Sequence, residues 1–242
     1  MSNVLKHWAL FLDLDGTLVD IAASPDEIVV PRELPALLDR LRTGLSGALA
    51  ILSGRTVQEI DGFLWPLKTA AAGVHGAEMR MVPGGQVTST AEPLGQGILD
   101  RVREIGSIDA NLVIEPKLYS VAVHYRNAEH VRAEIQAALQ DVVHAGPDHL
   151  ILCPGRMVIE VVPRQVSKGK ALATIMEEPH FRGRTPVMIG DDYSDESAFD
   201  MAKRLGGSYQ RVAGEHFGRT AEFENPAHVR AWLSSLCEFA GS

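Results

Sequence analysis

Short runs of consecutive apolar residues alternate along the chain with segments in which apolar residues recur every three or four positions. Three runs, WALFL at 8–12, GALAIL at 47–52 and PVMI at 186–189, are each followed by polar residues. Uninterrupted runs of this length are typical of strands buried in a parallel sheet. The segment between the first two runs contains four leucines with the spacing of a helix that buries one stripe: Leu34, Leu37, Leu38 and Leu41.

A second helix is predicted directly after the second apolar run. Thr56 and Glu59 have the spacing of a capping box, and Val57 and Ile60 begin an apolar face. Strands that alternate with helices predict a doubly wound, mainly parallel α/β sheet, in which ligands bind beyond the carboxyl ends of the strands.

The middle of the chain has a different pattern. Residues 96–106 and 128–143 have helical periodicity, and four short segments resemble strands: NLVIE, LYSVAVHYR, HLILC and RMVIEVV. The order helix, strand, strand, helix, strand, strand predicts an antiparallel sheet with helices on one face. We therefore expect an inserted α+β domain at 94–164 and a core domain formed by 1–93 and 165–242.

Composition limits the classes of partner. The chain has 242 residues, of which 45% are hydrophobic and 22% charged, and its formal net charge of -8 argues against an extended nucleic-acid surface. Only Cys153 and Cys237 occur, which excludes a disulfide framework and favours a reducing cytoplasm. Asp13 and Asp15 interrupt the N-terminal apolar run too early for a signal peptide. We expect no membrane association and no obligate protein partner.

Two aspartates follow the first apolar run. In DLDGT at 13–17, Asp13 and Asp15 leave the strand on the same side as the chain enters a glycine turn. This arrangement suits a divided role, in which Asp13 attacks phosphorus while Asp15 protonates the leaving alcohol and then activates water. An ordinary strand-ending turn is the alternative for this motif alone.

A second group of carboxylates follows the third apolar run, in GDD at 190–192. With Asp13 they would form an oxygen-rich site suited to a hard cation, and Mg²⁺ is the expected occupant. Asp191 is the predicted ligand, whereas Asp192 also suits a helix N-cap. Asp195 suits either an orienting role or a favourable charge at a helix N-terminus.

The second apolar run ends in Ser53, Gly54 and Arg55 at a predicted helix start. Because helix N-termini bind anions, this hydroxyl and the nearby amides are candidates for binding a phosphoryl oxygen. The alternative is a common strand-to-helix turn.

Lys168 is predicted to begin the helix that follows the inserted domain, where a positive charge opposes the helix dipole. This unfavourable placement indicates a function, such as pairing with Asp13 and the transferring phosphoryl group. Lys170 is the competing lysine, and a solvated surface lysine is the alternative for both.

DxDGT, SGR, a later lysine and GDDxSDE occur in this order in the haloacid dehalogenase superfamily of phosphatases, which the chain resembles. The resemblance implies that Asp13, the backbone carbonyl of Asp15 and the side chain of Asp191 hold Mg²⁺. It also implies that Ser53 and Lys168 bind the phosphoryl group. The position of the insert between Ser53 and Lys168 is similar to that of the second cap type, which implies a small phosphorylated metabolite as substrate.

Longer segments narrow the resemblance to trehalose-6-phosphate phosphatases: SGRTVQEID, GVHGAE, IEPKLYSVAVHYR, GRMVIEVVP, KGKAL and GDDYSDE. Many members of that family have GRxxxEVRP where this chain has Val162 in place of arginine. His75 in GVHG suits either substrate contact or a turn, and we assign it neither.

Within the insert, Glu115, Lys117, His124, Arg126 and Glu160 offer groups able to hydrogen-bond sugar hydroxyls, and the resemblance favours Glu115, Lys117 and Glu160 as sugar contacts. A solvated strand face is the alternative for each. The predicted catalytic residues are Asp13, Asp15, Ser53 and Lys168. The complete predicted substrate-binding set is Asp13, Leu14, Asp15, Thr17, Ser53, Gly54, Arg55, Glu115, Lys117, His124, Arg126 and Glu160.

The reaction implied is the Mg²⁺-dependent hydrolysis of trehalose 6-phosphate through an aspartyl-phosphate. Phosphatases of sucrose phosphate, mannosylglycerate phosphate or another glycosyl phosphate are the nearest alternatives, since only the cap would differ. A phosphomutase and a non-catalytic sugar-phosphate sensor are the alternatives from other classes.

Overall fold

The computed structural model describes residues 5–22, 27–147, 149–214 and 221–240. The chain divides into two compact units, one formed by Met1–Ser89 with Ser167–Ser242 and the other by Thr90–Val166. We refer to them as the core unit and the cap unit. Within the described ranges, no helix combines the length and the apolar character that a bilayer crossing requires.

The core unit contains a seven-stranded sheet. Its strands are β1 (Trp8–Leu12), β2 (Leu49–Leu52), β3 (Ala70–Gly73), β4 (Glu78–Arg80), β5 (Thr88–Ser89), β10 (Thr185–Gly190) and β11 (Ser208–Arg211). Their order across the sheet is β11, β10, β1, β2, β3, β4, β5. The five neighbouring strands from β11 to β3 are parallel, and β4 and β5 extend one edge as antiparallel strands.

Helices follow the strands as the alternating pattern predicts. The core unit contains α1 (Leu34–Gly44), α2 (Val57–Phe63), α5 (Lys168–Met176), α6 (Glu196–Arg204) and α7 (Pro226–Ala240). Helices α1 and α7 pack against each other, while α5 packs against α6, β2 and β3. The four leucines of α1 are buried, and Thr56 and Glu59 form the capping box at the start of α2. The predicted α/β fold class is confirmed.

In its described residues, the cap unit contains an antiparallel sheet and two α-helices. It contains α3 (Gln96–Ile105), β6 (Val113–Pro116), β7 (Val121–His124), α4 (Arg132–His144), β8 (Leu150–Gly155) and β9 (Val158–Pro163). The strand order is β6, β7, β9, β8. Apolar residues of both helices pack on alternate strand positions such as Val121, Val123, Ile159 and Val161. Successive side chains of a strand alternate between its two faces, so His124 and Glu160 lie on the other face of the sheet.

Candidate active site

Two buried aspartates lie at the carboxyl ends of neighbouring strands. Asp13 follows β1 and Asp191 follows β10, and each is 3% exposed. Strands β1 and β10 are parallel, with Leu12 opposite Ile189, so their ends coincide. The Asp13 amide donates to the Ile189 carbonyl at 3.0 Å, which continues the pairing into the site.

Lys168, the first residue of α5, provides the positive charge of this site. It is 3% exposed, and its Nζ donates to Asp13 Oδ1 at 2.6 Å and to Asp195 Oδ1 at 2.7 Å. Ser167 caps the helix by accepting from the Lys170 amide, and Lys170 itself is exposed. The unfavourable position of a lysine at a helix N-terminus is thus offset by two buried carboxylates.

Asp195 organises the donors around it. Its Oδ2 accepts from the Asp191 and Asp192 amides, both at 3.1 Å, while its Oδ1 accepts from Lys168. The Asp192 side chain accepts from the Tyr193 amide at 2.7 Å, in the helix N-cap position considered as its alternative role. Both Asp195 oxygens are therefore occupied by protein donors.

Three carboxylates of the site are suited to a divalent cation. Asp13, Asp191 and Asp195 each offer an oxygen within 4.8 Å of the others, and buried oxygen ligands are those preferred by Mg²⁺ and similar hard cations. Among the residues that the structure describes, the Asp191 carboxylate receives a single long hydrogen bond of 3.4 Å, from the Thr17 hydroxyl. The residues present fit a divalent metal, with Asp13 and Asp191 better placed to coordinate it than Asp195, whose oxygens already accept from protein donors.

The pKa values of the site reflect its crowding. Burial raises the pKa of Asp13 to about 7, although the Lys168 charge opposes the rise. Burial, together with the charge of Asp13, raises the pKa of Asp191 well above its usual range. Burial alone lowers the pKa of Lys168, but the charges of Asp13 and Asp195 outweigh it and raise that pKa. Burial and mutual repulsion thus raise the pKa values of both Asp13 and Asp191 above that of an ordinary aspartate.

The turn after β1 brings the polypeptide backbone close to Asp191. Gly16 has φ +83, and a Cβ at this position would overlap the Asp191 carboxylate, so only glycine fits. Leu14 and Thr17 are fully buried. Only the backbone of Leu14 is therefore suited to contact a polar ligand, and the Thr17 hydroxyl is directed at Asp191.

Ser53 and Gly54 form the turn between β2 and α2. Ser53 is 1% exposed, and its hydroxyl accepts from the Arg55 amide at 3.1 Å. The Arg55 guanidinium does not lie free beside this turn, because it binds the carboxylate of Asp15.

A neighbouring loop supports the Ser53 turn and was not assigned from the sequence. Val74 and His75 have φ +47 and +56, values that are rare for residues other than glycine. The Val74 amide donates to the Arg55 carbonyl at 2.9 Å and the His75 amide to the Ser53 carbonyl at 3.0 Å. The His75 ring lies so close to Gly54 that an added Cβ would be 3.0 Å from it. Of the two roles considered for His75, this geometry provides the bracing of a turn.

The cap unit contains a separate polar cluster, which we call the cap cluster: Glu115, Lys117, Ser120, His124 and Glu160. His124 Nε2 lies 2.7 Å from Glu115 Oε2. Lys117 Nζ lies 3.7 Å from Glu115 and 3.4 Å from Glu160. The Ser120 hydroxyl donates to Glu160 at 2.5 Å. These contacts hold two carboxylates in defined positions on the sheet face opposite the helices.

Burial raises the pKa of Glu115, but its hydrogen bond with His124 and the Lys117 charge outweigh this effect and leave the pKa lowered. Arg126 lies two residues beyond β7 and is half-buried. Among the described residues, it forms no hydrogen bond or ion pair with the cap cluster. Val162 is buried beside Ile151 of β8.

Ser120 is a cluster member to which the sequence assigned no contact. Strand alternation puts Ser120 and His124 on one face. The partner of Ser120 depends on the pairing of β7 with β9, in which Ala122 lies opposite Glu160. Since these strands are separated by a helix and a further strand, local sequence carried no signal for the contact.

Comparison with known proteins places the chain in a family. A model of the trehalose-phosphatase family matches residues 11–221. The chain is 41% identical over 214 residues to a probable trehalose-phosphate phosphatase of Sinorhizobium fredii, covering 88% of this chain and 80% of that protein. It is 38% identical over 230 residues to the trehalose-6-phosphate phosphatase of Escherichia coli, covering 95% and 86%.

A solved structure supports the fold. The C-terminal domain of C. albicans trehalose-6-phosphate phosphatase matches with a TM-score of 0.84 and 19% identity, over 97% of this chain and 93% of that chain. The family match covers most of the chain, including the segments that supply Asp13, Lys168 and Asp191. The chain therefore belongs to the trehalose-phosphatase family.

Proposed function

We propose that the protein hydrolyses trehalose 6-phosphate to trehalose and phosphate, using Mg²⁺ and an aspartyl-phosphate formed on Asp13. The observation that carries this proposal is the buried Asp13 carboxylate, which accepts from Lys168 at 2.6 Å at the carboxyl end of β1. The choice of substrate is supported by the family and by the names of relatives 41% and 38% identical to the chain.

In this proposal, the Asp13 and Asp191 side chains and the Asp15 backbone carbonyl hold the cation. Asp195 is left to position Lys168, because both of its oxygens accept from protein donors. Bound Mg²⁺ would neutralise the adjacent carboxylates and the phosphoryl oxygens, which otherwise repel one another.

The first step forms a bond between an Asp13 carboxylate oxygen and phosphorus as the bond from phosphorus to the sugar oxygen breaks. Asp15 gives its proton to the departing sugar oxygen, so that a neutral alcohol leaves. Lys168 stays beside Asp13 and offsets the charge of the transferring group. The Ser53 hydroxyl and the amides at the start of α2 are suited to bind its oxygens.

The second step regenerates the enzyme. Asp15, now ionised, takes a proton from water as the water oxygen attacks phosphorus. The bond between phosphorus and the Asp13 oxygen then breaks, and phosphate leaves. Asp13 is again a carboxylate, and Asp15 is again protonated.

We assign sugar recognition to the cap cluster. Two carboxylates, one ammonium and one imidazole supply acceptors and donors for several hydroxyls. Their mutual contacts support this assignment, because groups held in place before binding lose less entropy when a ligand binds. On this assignment, Glu160→Gln lowers kcat/KM for the sugar phosphate and leaves that for p-nitrophenyl phosphate unchanged.

A cytoplasmic location is part of the same proposal. Cys153 and Cys237 form no disulfide bond, as is usual for proteins kept in a reducing compartment.

The test is phosphate release from trehalose 6-phosphate, sucrose phosphate and mannosylglycerate phosphate, with Mg²⁺ and with a chelator. We expect a preference for trehalose 6-phosphate that requires the metal and is lost in Asp13→Asn. The matched control is Asp39→Asn, which alters an aspartate on the exposed surface of α1. Stoichiometric release of phosphate would exclude a phosphomutase.

Three results would contradict the proposal. A clear preference for another glycosyl phosphate would refute the substrate assignment. Undiminished turnover by Asp13→Asn would refute covalent catalysis on Asp13. Binding of the sugar phosphate without any release of phosphate would indicate a sensor.

A further inference from the structure

Asp15 is bound by Arg55 through a two-point contact. Arg55 Nε donates to Asp15 Oδ2 at 2.9 Å and Oδ1 at 3.1 Å, and Nη2 donates to Oδ1 at 3.0 Å. The Arg55 side chain is 12% exposed and the Asp15 side chain is 30% exposed. A planar guanidinium that binds a carboxylate at both oxygens restrains its orientation.

The first turns of α2 hold Arg55 in place. Arg55 precedes the N-cap residue Thr56, and Glu59 and Phe63 lie four residues apart on one face of α2. Arg55 Nη1 lies 3.5 Å from Glu59 Oε1, and the guanidinium carbon lies 4.9 Å from the centre of the Phe63 ring. Glu59 is itself fixed by the Thr56 capping box.

The backbone of Arg55 is fixed on both sides. Its amide donates to the Ser53 hydroxyl at 3.1 Å, and its carbonyl accepts from the Val74 amide at 2.9 Å. The arginine is thus anchored by its backbone, its charge partners and an aromatic ring, while Asp15 sits in a turn beside Gly16. The rigid partner of this pair is Arg55.

We propose that Arg55 is a positioning residue that orients the Asp15 carboxyl for proton transfer to the leaving oxygen, rather than a ligand of the phosphoryl group. This inference rests on the proposed function. It follows from how the guanidinium is used, since Nε and Nη2 face Asp15 and Nη1 faces Glu59. Proton transfer requires hydrogen-bond reach and alignment, so that a freely rotating Asp15 would seldom be productive.

Two substrates that differ in leaving group separate the two roles. A sugar alcohol needs a proton as it departs, whereas p-nitrophenolate leaves with little help. The kcat/KM for each reports steps up to phosphoryl transfer. A residue that orients the acid should affect the sugar phosphate alone, and a phosphoryl ligand should affect both substrates equally.

We expect Arg55→Gln to lower kcat/KM for the sugar phosphate about 10- to 100-fold and for p-nitrophenyl phosphate less than about threefold, because general acid catalysis contributes about 10²–10⁴-fold. Arg55→Lys should behave like Arg55→Gln, since lysine retains the charge but not the two-point geometry. The ratio of the two constants does not depend on the folded fraction, so partial unfolding would not obscure the result.

A double-mutant cycle provides the second measurement. Asp15→Asn removes the proton donor, and adding Arg55→Gln should then change kcat/KM for the sugar phosphate less than about twofold, because coupled residues are non-additive. Arg42→Gln is the matched control, since it alters an arginine that pairs with an aspartate on the exposed surface of α1. It should leave both constants unchanged.

Equal losses on both substrates, restoration by Arg55→Lys, or additive effects with Asp15→Asn would each overturn the role assigned to Arg55. The wild-type protein distinguishes this failure from failure of the proposed function. If it hydrolyses trehalose 6-phosphate and Arg55→Gln leaves the substrate ratio unchanged, only the inference about Arg55 is refuted. If it releases no phosphate from that substrate, the proposed function itself is refuted.

Discussion

Replacement of Lys168 by methionine tests whether the buried charges of the site depend on one another. Lys168 is 3% exposed and donates to both Asp13 and Asp195. Methionine has a similar length and no charge. The substitution leaves two buried carboxylates without their shared cation and adds no bulk.

The expected loss of stability follows from this geometry. Removing one partner of a buried ion pair destabilises a protein by about 3–5 kcal/mol, because the remaining charge stays buried and unpaired. Since Lys168 serves two carboxylates that are 5% exposed or less, we expect Lys168→Met to lower the free energy of unfolding by an amount within that range at pH 8 without metal. Activity should be lost as well.

The loss should depend on pH in a defined direction. The pKa of Asp13 is about 7 in the folded protein, above the 3.8 of an ordinary aspartate. Between these two pH values the folded protein keeps a proton that the unfolded chain has lost, so the free energy of unfolding falls as pH rises towards 7. Without Lys168 the pKa rises further, and the destabilisation continues above pH 7 in the variant alone. The stability difference between variant and wild type should widen by up to about 1.4 kcal/mol per pH unit there.

Urea unfolding at pH 6 and pH 8 in the presence of a chelator measures both effects. Lys170→Met is the matched control, because Lys170 is exposed two residues away on α5, and its effect should stay within about 0.5 kcal/mol. A Lys168→Met protein as stable as wild type at pH 8, or a difference that narrows as pH rises, would refute the reasoning.

Three further predictions concern the turn, the metal and the cap. Gly16→Ala should reduce turnover at least about 10-fold and destabilise the protein by about 1–3 kcal/mol, because it combines positive φ with overlap of the Asp191 carboxylate. Apparent Mg²⁺ affinity should fall as pH drops below 7, because protons compete for Asp13, whose pKa is about 7; calorimetry in two buffers should detect the released proton. Ser120→Ala should lower kcat/KM for the sugar phosphate about 5- to 30-fold through loss of the buried hydrogen bond to Glu160, without affecting p-nitrophenyl phosphate.

Matched substitutions sharpen these tests. Gly183→Ala places alanine at φ +76 with no atom within 4 Å of the new Cβ, so it should reduce stability without reducing turnover. Ser107→Ala removes an exposed hydroxyl of the cap unit and should leave both substrates unaffected. Equal turnover by Gly16→Ala and Gly183→Ala would contradict the prediction for the turn, and equal kcat/KM values for Ser120→Ala and Ser107→Ala would contradict the prediction for the cap. An Mg²⁺ affinity that does not depend on pH would contradict the prediction for the metal.

The sequence predicted the elements whose signals are local. Apolar runs located β1, β2 and β10, leucine spacing located α1, and the Thr56–Glu59 box located the start of α2. Strands β3 and β11 were not predicted. Strand β3 consists of three alanines and a glycine, and β11 reads SYQR, so neither forms a run of bulky apolar residues. The hairpin of β4 with β3 was missed for the same reason.

Candidate site residues could also be predicted from the sequence, because they follow apolar runs and carry chemically distinctive groups. Asp13, Ser53 and Asp191 were identified in this way, and Lys168 was distinguished by a charge that opposes the helix dipole. Their proposed catalytic roles remain predictions that the experiments above test.

Tertiary structure decided most of the contacts among these groups. The sequence suggested that Lys168 pairs with Asp13, but it could not specify that Lys168 also contacts Asp195, because these residues come from three separate elements. Nor could it show that Arg55 binds Asp15, 40 positions away in the chain. Side-chain partners across a sheet depend on strand order and register, which arise from packing of the whole core, whereas strand and helix identity depends on neighbouring residues. The sequence by itself thus determined the chemical groups available, and tertiary packing determined their pairing.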